Sequence, residues 1–215
     1  MVEVLEYLDQ NNHSPFREWF EDLDAKAAAK VNTATTRLSL GNWSGVKGVG
    51  SGVFERVIDF GPGYRIYFGK DGETVVILLA GGTKKRQESD INSATAGLQA
   101  AQEDEGVKLM ALTRNFVETV KARAERDPEF RKEMLTEGFE AFLSGDTETG
   151  KAVLRDYINA TVGFGPLGKA TDIDPKSLMR MFGPSGNPTT DHFFEIINYL
   201  QRREQIRLQV AVGVA

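Results

Sequence analysis

Apolar and polar residues follow strand and helix periodicities along the first half of the chain. Residues 2–8 alternate apolar with acidic side chains, which predicts a half-buried strand. Ser14 and Pro15 then supply an N-cap and a first helical residue, and apolar residues recur at helical spacing from Phe16 to Leu23. A second, alanine-rich helix is predicted over 26–40, and the glycine-punctuated stretch 41–52 is predicted to be a loop.

Three further strands are predicted over 53–60, 64–69 and 73–80. They are separated by Gly61-Pro62-Gly63 and by Asp71-Gly72, and both sequences favour tight turns, so the strands should form an antiparallel meander. The last strand is apolar on both faces and is expected at the centre of the sheet. A polar helix that begins near residue 83 closes the unit. Residues 1–99 are therefore predicted to form an α+β domain of order β-α-α-β-β-β-α with an antiparallel sheet.

The pattern changes after residue 99. Residues 100–109 carry no apolar stripe and are predicted to be a linker. Residues 110–215 show only helical patterns, including a helix capped by Asp127, so we expect an all-α domain. Within it, residues 166–182 have the proportions of a helix-turn-helix, with Asp174 as N-cap and Pro175 as the first residue of its second helix. A last helix is predicted to be capped by Thr190 or Asp191.

Charge and composition restrict the classes of function. The 215 residues carry 26 basic and 31 acidic side chains, a net charge of −5, so any contact with nucleic acid must be local. The absence of cysteine excludes disulfides and thiolate chemistry and suits a reducing cytoplasm. His13 and His192 form no ligand motif, so neither metal nor cofactor is expected. The longest apolar run, residues 75–80, is too short to span a bilayer, and no membrane partner is expected.

Cations and one phenol lie on the predicted strands in a pattern that suits phosphodiester chemistry. Arg56 shares a strand face with apolar residues, and Arg65 and Tyr67 share a face of the next strand. The sequence GGTKKRQ then places Lys84 and Lys85 just past the central strand. If antiparallel pairing brings these side chains onto one concave surface, the cations can bind phosphates and stabilise developing charge without a metal.

A purely structural interpretation of the same residues stands beside it. Arg56 and Arg65 would then pair with Glu55, Asp59 or helix carboxylates, and residues 84–86 would be a solvated helix start.

The stretch FERVIDFGPGYRIYF at 54–68, with LLAGGTKKRQ at 78–87, closely resembles the addiction-module-killer branch of the RelE/ParE toxin superfamily, the HigB-like type. The resemblance spans residues 2 to about 98 and implies a RelE-like toxin domain. It implies ribosome-dependent cleavage of mRNA through attack of a 2′-hydroxyl on its phosphate, with Arg56, Arg65, Tyr67, Lys84 and Lys85 at the matching positions. Several relatives use a histidine or tyrosine near the C-terminal end for proton transfer. Residues 84–99 contain neither, so the proton-transfer group stays open, as does a ParE-like gyrase inhibitor.

The second half has its own candidate residues. The stripe of the helix after Asp174 leaves Lys176, Ser177 and Arg180 facing outward, where a recognition helix meets base edges, and Lys169 lies on the preceding helix. A plain helical hairpin with exposed charges is the structural alternative. The sequences MALT at 110–113, LRDYINAT at 154–161 and SLMRMFG at 177–183 resemble HigA-type antitoxins, and this resemblance covers nearly all of residues 110–208.

Together the two resemblances predict a type II toxin–antitoxin module in one chain. The toxin half would act on ribosomes and mRNA, and the antitoxin half would neutralise it, within or between chains, and would bind operator DNA as a homodimer. The alternative from another class is a transcriptional regulator whose toxin fold is catalytically inactive and serves only for interaction.

Overall fold

The computed structural model describes residues 2–72, 75–103 and 113–210. The chain divides into two compact units, Met1–Arg123 and Ala124–Ala215. Residues 100–103 of the predicted linker form the end of a helix, and residues 104–109 lie outside the described residues.

The first unit contains both strands and helices. Its elements in chain order are β1 (Glu3–Tyr7), α1 (Pro15–Asp22), α2 (Ala25–Ser39), β2 (Val46–Gly50), β3 (Val53–Ile58), β4 (Tyr64–Asp71), β5 (Val75–Thr83), a 3-10 turn (Lys84–Arg86), α3 (Gln87–Glu103), β6 (Thr113–Asn115) and α4 (Phe116–Arg126), whose last residues belong to the second unit. The predicted cap of α1 is confirmed, because the Ser14 hydroxyl accepts a hydrogen bond from the amide of Arg17 at 3.1 Å.

The six strands form one mixed sheet in the order β2-β3-β4-β5-β1-β6. Strands β3 to β5 pair antiparallel in sequence, as the turn signals predicted, and β5 lies inside the sheet between β4 and β1. Strand β2, which lies in the predicted loop, pairs antiparallel to β3. Strand β1 pairs parallel to β5, and β6 pairs antiparallel to β1.

The predicted fold class, an α+β RelE-like domain with an antiparallel sheet followed by an all-α helix-turn-helix domain, is therefore wrong. The sheet is mixed because α1 and α2 carry the chain from β1 to the opposite edge of the sheet, so that β1 ends up parallel to β5. Its sixth strand comes from the half that was predicted to be helical throughout. Three residues are too few to show an alternating pattern, and β6 is held by backbone pairing with β1.

Helices cover both faces of the sheet. Trp19 of α1 packs on Gly81 of β5, where any side chain would overlap the indole ring. On the other face, Ala94 and Leu98 of α3 join Tyr67 and the apolar residues of β5 in one buried cluster. Gly69 lies under Leu98 in the same close manner. Glycine at these two positions lets the helices approach the sheet closely.

Residues 113–123, predicted to belong to the antitoxin half, are part of the first unit. Strand β6 extends the sheet beyond β1. The ring of Phe116 lies 5.6 Å from that of Phe16 and 5.4 Å from that of Phe20, both edge-on. The guanidinium of Arg123 donates hydrogen bonds to the carbonyls of Phe20 and Leu23. These bonds supply partners for carbonyl groups at the C-terminal end of α1.

Every regular element described in the second unit is a helix. They are the end of α4, α5 (Pro128–Leu143), α6 (Thr147–Ala160), α7 (Phe164–Thr171), α8 (Pro175–Met181) and α9 (Thr190–Glu204). The predicted caps at Asp127 and Asp174 are confirmed, whereas α9 is capped by Thr189, one residue before the predicted position. Buried Glu204 of α9 accepts a hydrogen bond from the Tyr157 hydroxyl at 2.7 Å and pairs with Arg131 at 3.2 Å, which ties α9 to α6 and α5.

Candidate functional site

A buried carboxylate organises the face of β3 and β4 that α3 covers. Glu55 and Tyr67 are directly opposite each other in the antiparallel register, and Arg65 lies on the same face. The Arg65 Nε atom is 2.6 Å from Oε1 of Glu55, and the Tyr67 hydroxyl donates to that oxygen at 3.5 Å. Gln87 donates to it at 3.0 Å, and Lys47 Nζ lies 2.9 Å from Oε2. Two cations thus compensate the fully buried charge of Glu55.

Tyr67 is fully buried, and its surroundings keep it protonated. Burial raises the pKa of its phenol, and the charges of Glu55 and Asp90 raise it further. A phenol in this state is a hydrogen-bond donor at neutral pH and not a base.

Lys84 and Lys85 lie on the surface immediately beside this cluster. The backbone amide of Lys84 donates to the carbonyl of Gly63 at 3.2 Å, and Arg65 Nη1 donates to the same oxygen at 3.1 Å. Both lysines line a shallow groove of about 460 Å³ together with Gln87, which also reaches Glu55. The buried cluster therefore holds the turn that presents two exposed ammonium groups, an arrangement that suits a phosphate.

Asp90 lies on the inner side of the same helix start. It lies over Gly82, where any side chain would overlap its carboxyl group. Burial raises the pKa of Asp90, and the nearby Arg86 guanidinium offsets part of that effect.

Arg56 does not join the other candidates. It pairs with Ile66, whereas Arg65 pairs with Val57, so Arg56 and Arg65 point to opposite faces of the sheet. Arg56 is buried, and its Nη1 donates to the carbonyl of Asn42 at 2.9 Å. The structure thus brings together Arg65, Tyr67, Lys84 and Lys85 and leaves Arg56 elsewhere.

Sequence reasoning did not identify the centre of the cluster as a functional position. Glu55 entered only in the structural interpretation, as a partner of the arginines, and its pairing with Arg65 is confirmed. Lys47 and Gln87 were not singled out. The available signal was a glutamate whose neighbours on the same strand face, Val53 and Val57, are apolar, because such a residue needs a buried partner.

The second candidate region is the pair α7 and α8. Their turn is tight, because a Cβ atom on Gly168 would lie 2.6 Å from the carbonyl oxygen of Ile173. Asp172 caps α7 in the left-handed conformation at φ 51°. The Asp174 carboxylate then accepts a hydrogen bond from the amide of Ser177 at 2.9 Å and begins α8.

The four predicted DNA-contact residues lie on this pair of helices. Lys169, Lys176 and Arg180 are exposed, and Ser177 is partly buried. Leu178 and Phe182 are buried in the core. Exposed Asp172 and Asp174 keep the local charge from being strongly positive.

Among the described residues, no three histidine or carboxylate side chains converge as a metal ion would require. No helix in the described ranges combines the length and apolar character needed to cross a bilayer.

The chain is similar to an uncharacterized protein of Haemophilus influenzae. The two are 42% identical over 80 residues, which cover 37% of this chain and 81% of the Haemophilus protein. No protein-family model matches the chain. No solved structure matches it.

Proposed function

We propose that this chain, which belongs to the family of the Haemophilus influenzae protein, is a type II toxin–antitoxin module in one polypeptide. In this proposal the first unit is a ribosome-dependent mRNA endonuclease of the HigB type. The second half neutralises it and represses its own operator, as HigA-type antitoxins do. The compartment is the cytoplasm, where ribosomes and operator DNA are found.

The observation that carries the proposal is the placement of residues 113–123. By sequence resemblance they belong to the antitoxin, yet β6 pairs with β1 of the toxin half and Phe116 packs on α1. Addition of a strand to an open sheet edge is a recurring mode of protein recognition, in which backbone hydrogen bonds give affinity and side chains give specificity. A segment placed in this way supports recognition of the toxin half by the antitoxin half.

The exposed lysines supply the chemistry. In the proposed reaction a ribose 2′-oxygen attacks the adjacent phosphorus and loses its proton, and the bond from phosphorus to the 5′-oxygen breaks and that oxygen gains a proton. Lys84 and Lys85 stabilise the charge that develops on the phosphate. Arg65 acts as a positioning residue, because it holds Gly63 and Glu55 in place beside the lysine turn. Tyr67 has a structural role, because it is fully buried.

Expression of residues 1–102 without the remainder tests the toxin function. We expect growth arrest and cleavage of ribosome-bound mRNA, and rescue when residues 110–215 are supplied as a second chain. Lys84→Ala with Lys85→Ala should reduce cleavage on the order of 10² to 10³-fold, the loss typical of a removed charge-stabilising group. Lys26→Ala, which changes an exposed lysine on α2, is the matched control. Full toxicity of the double variant would place the chemistry elsewhere.

A second candidate is a transcriptional regulator whose toxin-like unit is catalytically inactive. The burial of Tyr67 and the neutralisation of Arg65 by Glu55 favour it, because both remove a candidate group from the substrate. The same assay separates the two functions. A soluble fragment that neither arrests growth nor cuts mRNA supports the regulator, and inhibited gyrase with intact mRNA supports the ParE-like activity.

The DNA-binding part of the proposal rests on α8 as the recognition helix. Lys169→Ala should weaken binding to all DNA and lower the salt slope by about one unit, because it removes a phosphate contact. Arg180→Ala should cost roughly 1–3 kcal/mol and relax the preference at one base pair. Lys132→Ala on α5 is the control. Footprinting on the upstream promoter checks this, and the absence of any protected site at micromolar protein would limit α7 and α8 to a structural role.

A further inference from the structure

A buried lysine of the second unit holds the loop that follows α8. Lys151 of α6 is only 6% exposed, and its ammonium group donates to the carbonyl of Gly186 at 2.8 Å and to that of Pro184 at 3.5 Å. Glu148, whose side chain is 55% exposed, lies 2.7 Å from the same ammonium group and is its counter-charge. Because one ammonium bonds two carbonyls of the loop, it fixes the direction of both peptide groups.

This loop, residues 183–188, packs against the end of α8. The amide of Gly186 donates to the carbonyl of Gly183 at 2.9 Å, and the amide of Gly183 donates to the carbonyl of Arg180 at 3.1 Å. Any side chain at position 186 would overlap the carbonyl oxygens of Arg180 and Met181, so the close approach requires glycine. The loop therefore has a defined position beside exposed Arg180.

Two backbone amides of the loop point away from Lys151. The described residues contain no cis peptide bond, and in a trans peptide the C=O and N–H groups point in opposite directions. Since the carbonyls of Pro184 and Gly186 face the ammonium group, the N–H groups of Ser185 and Asn187 point to the opposite side. Both residues are exposed, and within the described chain neither amide donates to a protein acceptor.

Two outward amides with a cation behind them suit an anion. The ammonium group lies at the negative end of both peptide dipoles, so it polarises them and turns their positive ends towards solvent. We propose that the amides of Ser185 and Asn187 bind a phosphate oxyanion and that Lys151 is the positioning residue of this site. No side-chain pattern in the sequence marks the site, because its donors belong to the backbone.

The phosphate group can belong to the DNA backbone or to free inorganic phosphate. Residues 183–188 directly follow the predicted recognition helix α8, so a DNA phosphate bound here would flank the base pairs that α8 contacts. DNA as the source rests on the proposed function, whereas the phosphate site itself does not.

Inorganic phosphate tests the site in the full-length protein labelled with ¹⁵N. Phosphate should shift the amide resonances of Ser185 and Asn187 in a saturable manner. Ser185→Pro removes one N–H group and should weaken phosphate binding at least about tenfold, whereas Ser185→Ala keeps that group and should bind within about twofold of the unaltered protein. Circular dichroism checks that each variant is folded.

Two variants of α6 test the role of Lys151. Lys151→Met should abolish the phosphate-dependent shifts, but loss of the buried cation can also disturb the loop. Glu148→Gln leaves Lys151 in place and removes the negative charge beside it, so phosphate should bind about threefold more tightly. If the ion pair had only a structural role, Glu148→Gln would leave phosphate binding unchanged or weaken it.

Titration of the upstream promoter duplex distinguishes the two sources of phosphate. If the DNA backbone is the ligand, Ser185→Pro should lower the salt slope of DNA binding by about one unit relative to Ser185→Ala. An equal slope in the two variants, with phosphate binding lost in Ser185→Pro, would identify free phosphate as the ligand. Phosphate binding without DNA binding would contradict the proposed reader and support the phosphate site.

Three results would overturn the phosphate site. They are the absence of saturable shifts at Ser185 and Asn187, equal phosphate binding by Ser185→Pro and Ser185→Ala, and phosphate binding that Glu148→Gln does not strengthen.

Discussion

Glu55 and Glu6 are two fully buried glutamates of the same sheet, and their surroundings differ sharply. Glu55 on β3 has two cations and two hydrogen-bond donors within reach. Glu6 on β1 has no well-formed hydrogen bond on either oxygen within the described residues. Burial raises the pKa of Glu6, and nearby groups lower it only in part; these are the hydroxyls of Thr119 and Ser14 and the guanidiniums of Arg17 and Arg114.

The contrast shows which part of the first unit is more stable and which part is less stable. A buried carboxylate with counter-charges holds its neighbours in place, because loss of its buried cation leaves a charge that is no longer fully compensated. A buried carboxyl whose desolvation is offset only in part weakens the region whenever it ionises. Glu6 pairs in register with Arg114 of β6, so the less stable region is where β6 meets β1.

The largest expected effect comes from breaking the Glu55 cluster. Arg65→Ala should lower the free energy of unfolding of the first unit by about 3–5 kcal/mol, because it leaves Glu55 buried without its closest cation. Lys47→Ala removes the exposed partner and should cost at most about 1 kcal/mol. Urea unfolding followed by tryptophan fluorescence measures this, since both tryptophans, Trp19 and Trp43, lie in the first unit.

Equal losses of unfolding free energy for the two variants would show that the buried Arg65–Glu55 pair stabilises the first unit no more than the exposed Lys47 does. Lost activity in Arg65→Ala would not by itself identify a catalytic role, because the variant disturbs the fold. The exposed Lys84 and Lys85 are the better test of chemistry.

Asp156 of α6, in the second unit, is another carboxyl whose pKa is raised by burial. Burial raises its pKa to about 6, and only Arg155 opposes the shift. A carboxyl whose pKa is raised in the folded state stabilises the fold only while protonated, so this contribution is complete below about pH 4 and is lost as the pH rises through 6. Asp156→Asn should therefore add about 1–3 kcal/mol at pH 8 and almost nothing at pH 4.

Far-UV circular dichroism during urea unfolding at the two pH values checks the Asp156 prediction. Asp172→Asn, at an exposed position, is the control and should show no such pH dependence. A pH-independent effect of Asp156→Asn would mean that the carboxyl is not destabilised by burial.

The smallest expected change is at Glu6. Because its pKa is raised in the fold, its contribution to stability falls as the pH rises above the range of an ordinary carboxyl. Glu6→Gln removes this fall and should stabilise the first unit by about 1 kcal/mol at pH 8, with little change at pH 4. Glu3→Gln, at an exposed position of the same strand, is the matched control, and tryptophan fluorescence is again the probe. Destabilisation by Glu6→Gln at pH 8 would show that the carboxylate is paired after all.

Local sequence signals predicted the elements well and their arrangement poorly. Ser14, Asp127 and Asp174 indicated where helices begin, because an N-cap side chain bonds a backbone amide only two or three residues further along the chain. Strand β2 was missed in a glycine-rich stretch that was expected to be a loop. The face of Arg56 depended on which residue it opposes in β4, and a shift of one residue reverses every side chain. The partners of Glu55 come from β2, β4 and α3, so no local pattern contains them.

In the proposed function, residues 113–123 dock an antitoxin half onto a toxin half. A specific protease site introduced within 104–112 allows the chain to be cut while β6 and α4 stay joined to the second half. After cutting, the two parts should remain associated and leave ribosome-bound mRNA intact. With Phe116→Asp, which places a charge among Phe16 and Phe20, the cut parts should separate and the mRNA should be cleaved.

Val117→Asp changes the neighbouring residue, which is 52% exposed, and should behave like the unaltered protein. The most direct measurement is therefore mRNA cleavage in a translation extract by the cut Phe116→Asp protein beside the cut Val117→Asp protein. We expect cleavage by the cut Phe116→Asp protein and none by the cut Val117→Asp protein. Intact mRNA in both, with the Phe116→Asp parts separated and folded, would contradict a toxin held in check by its own chain.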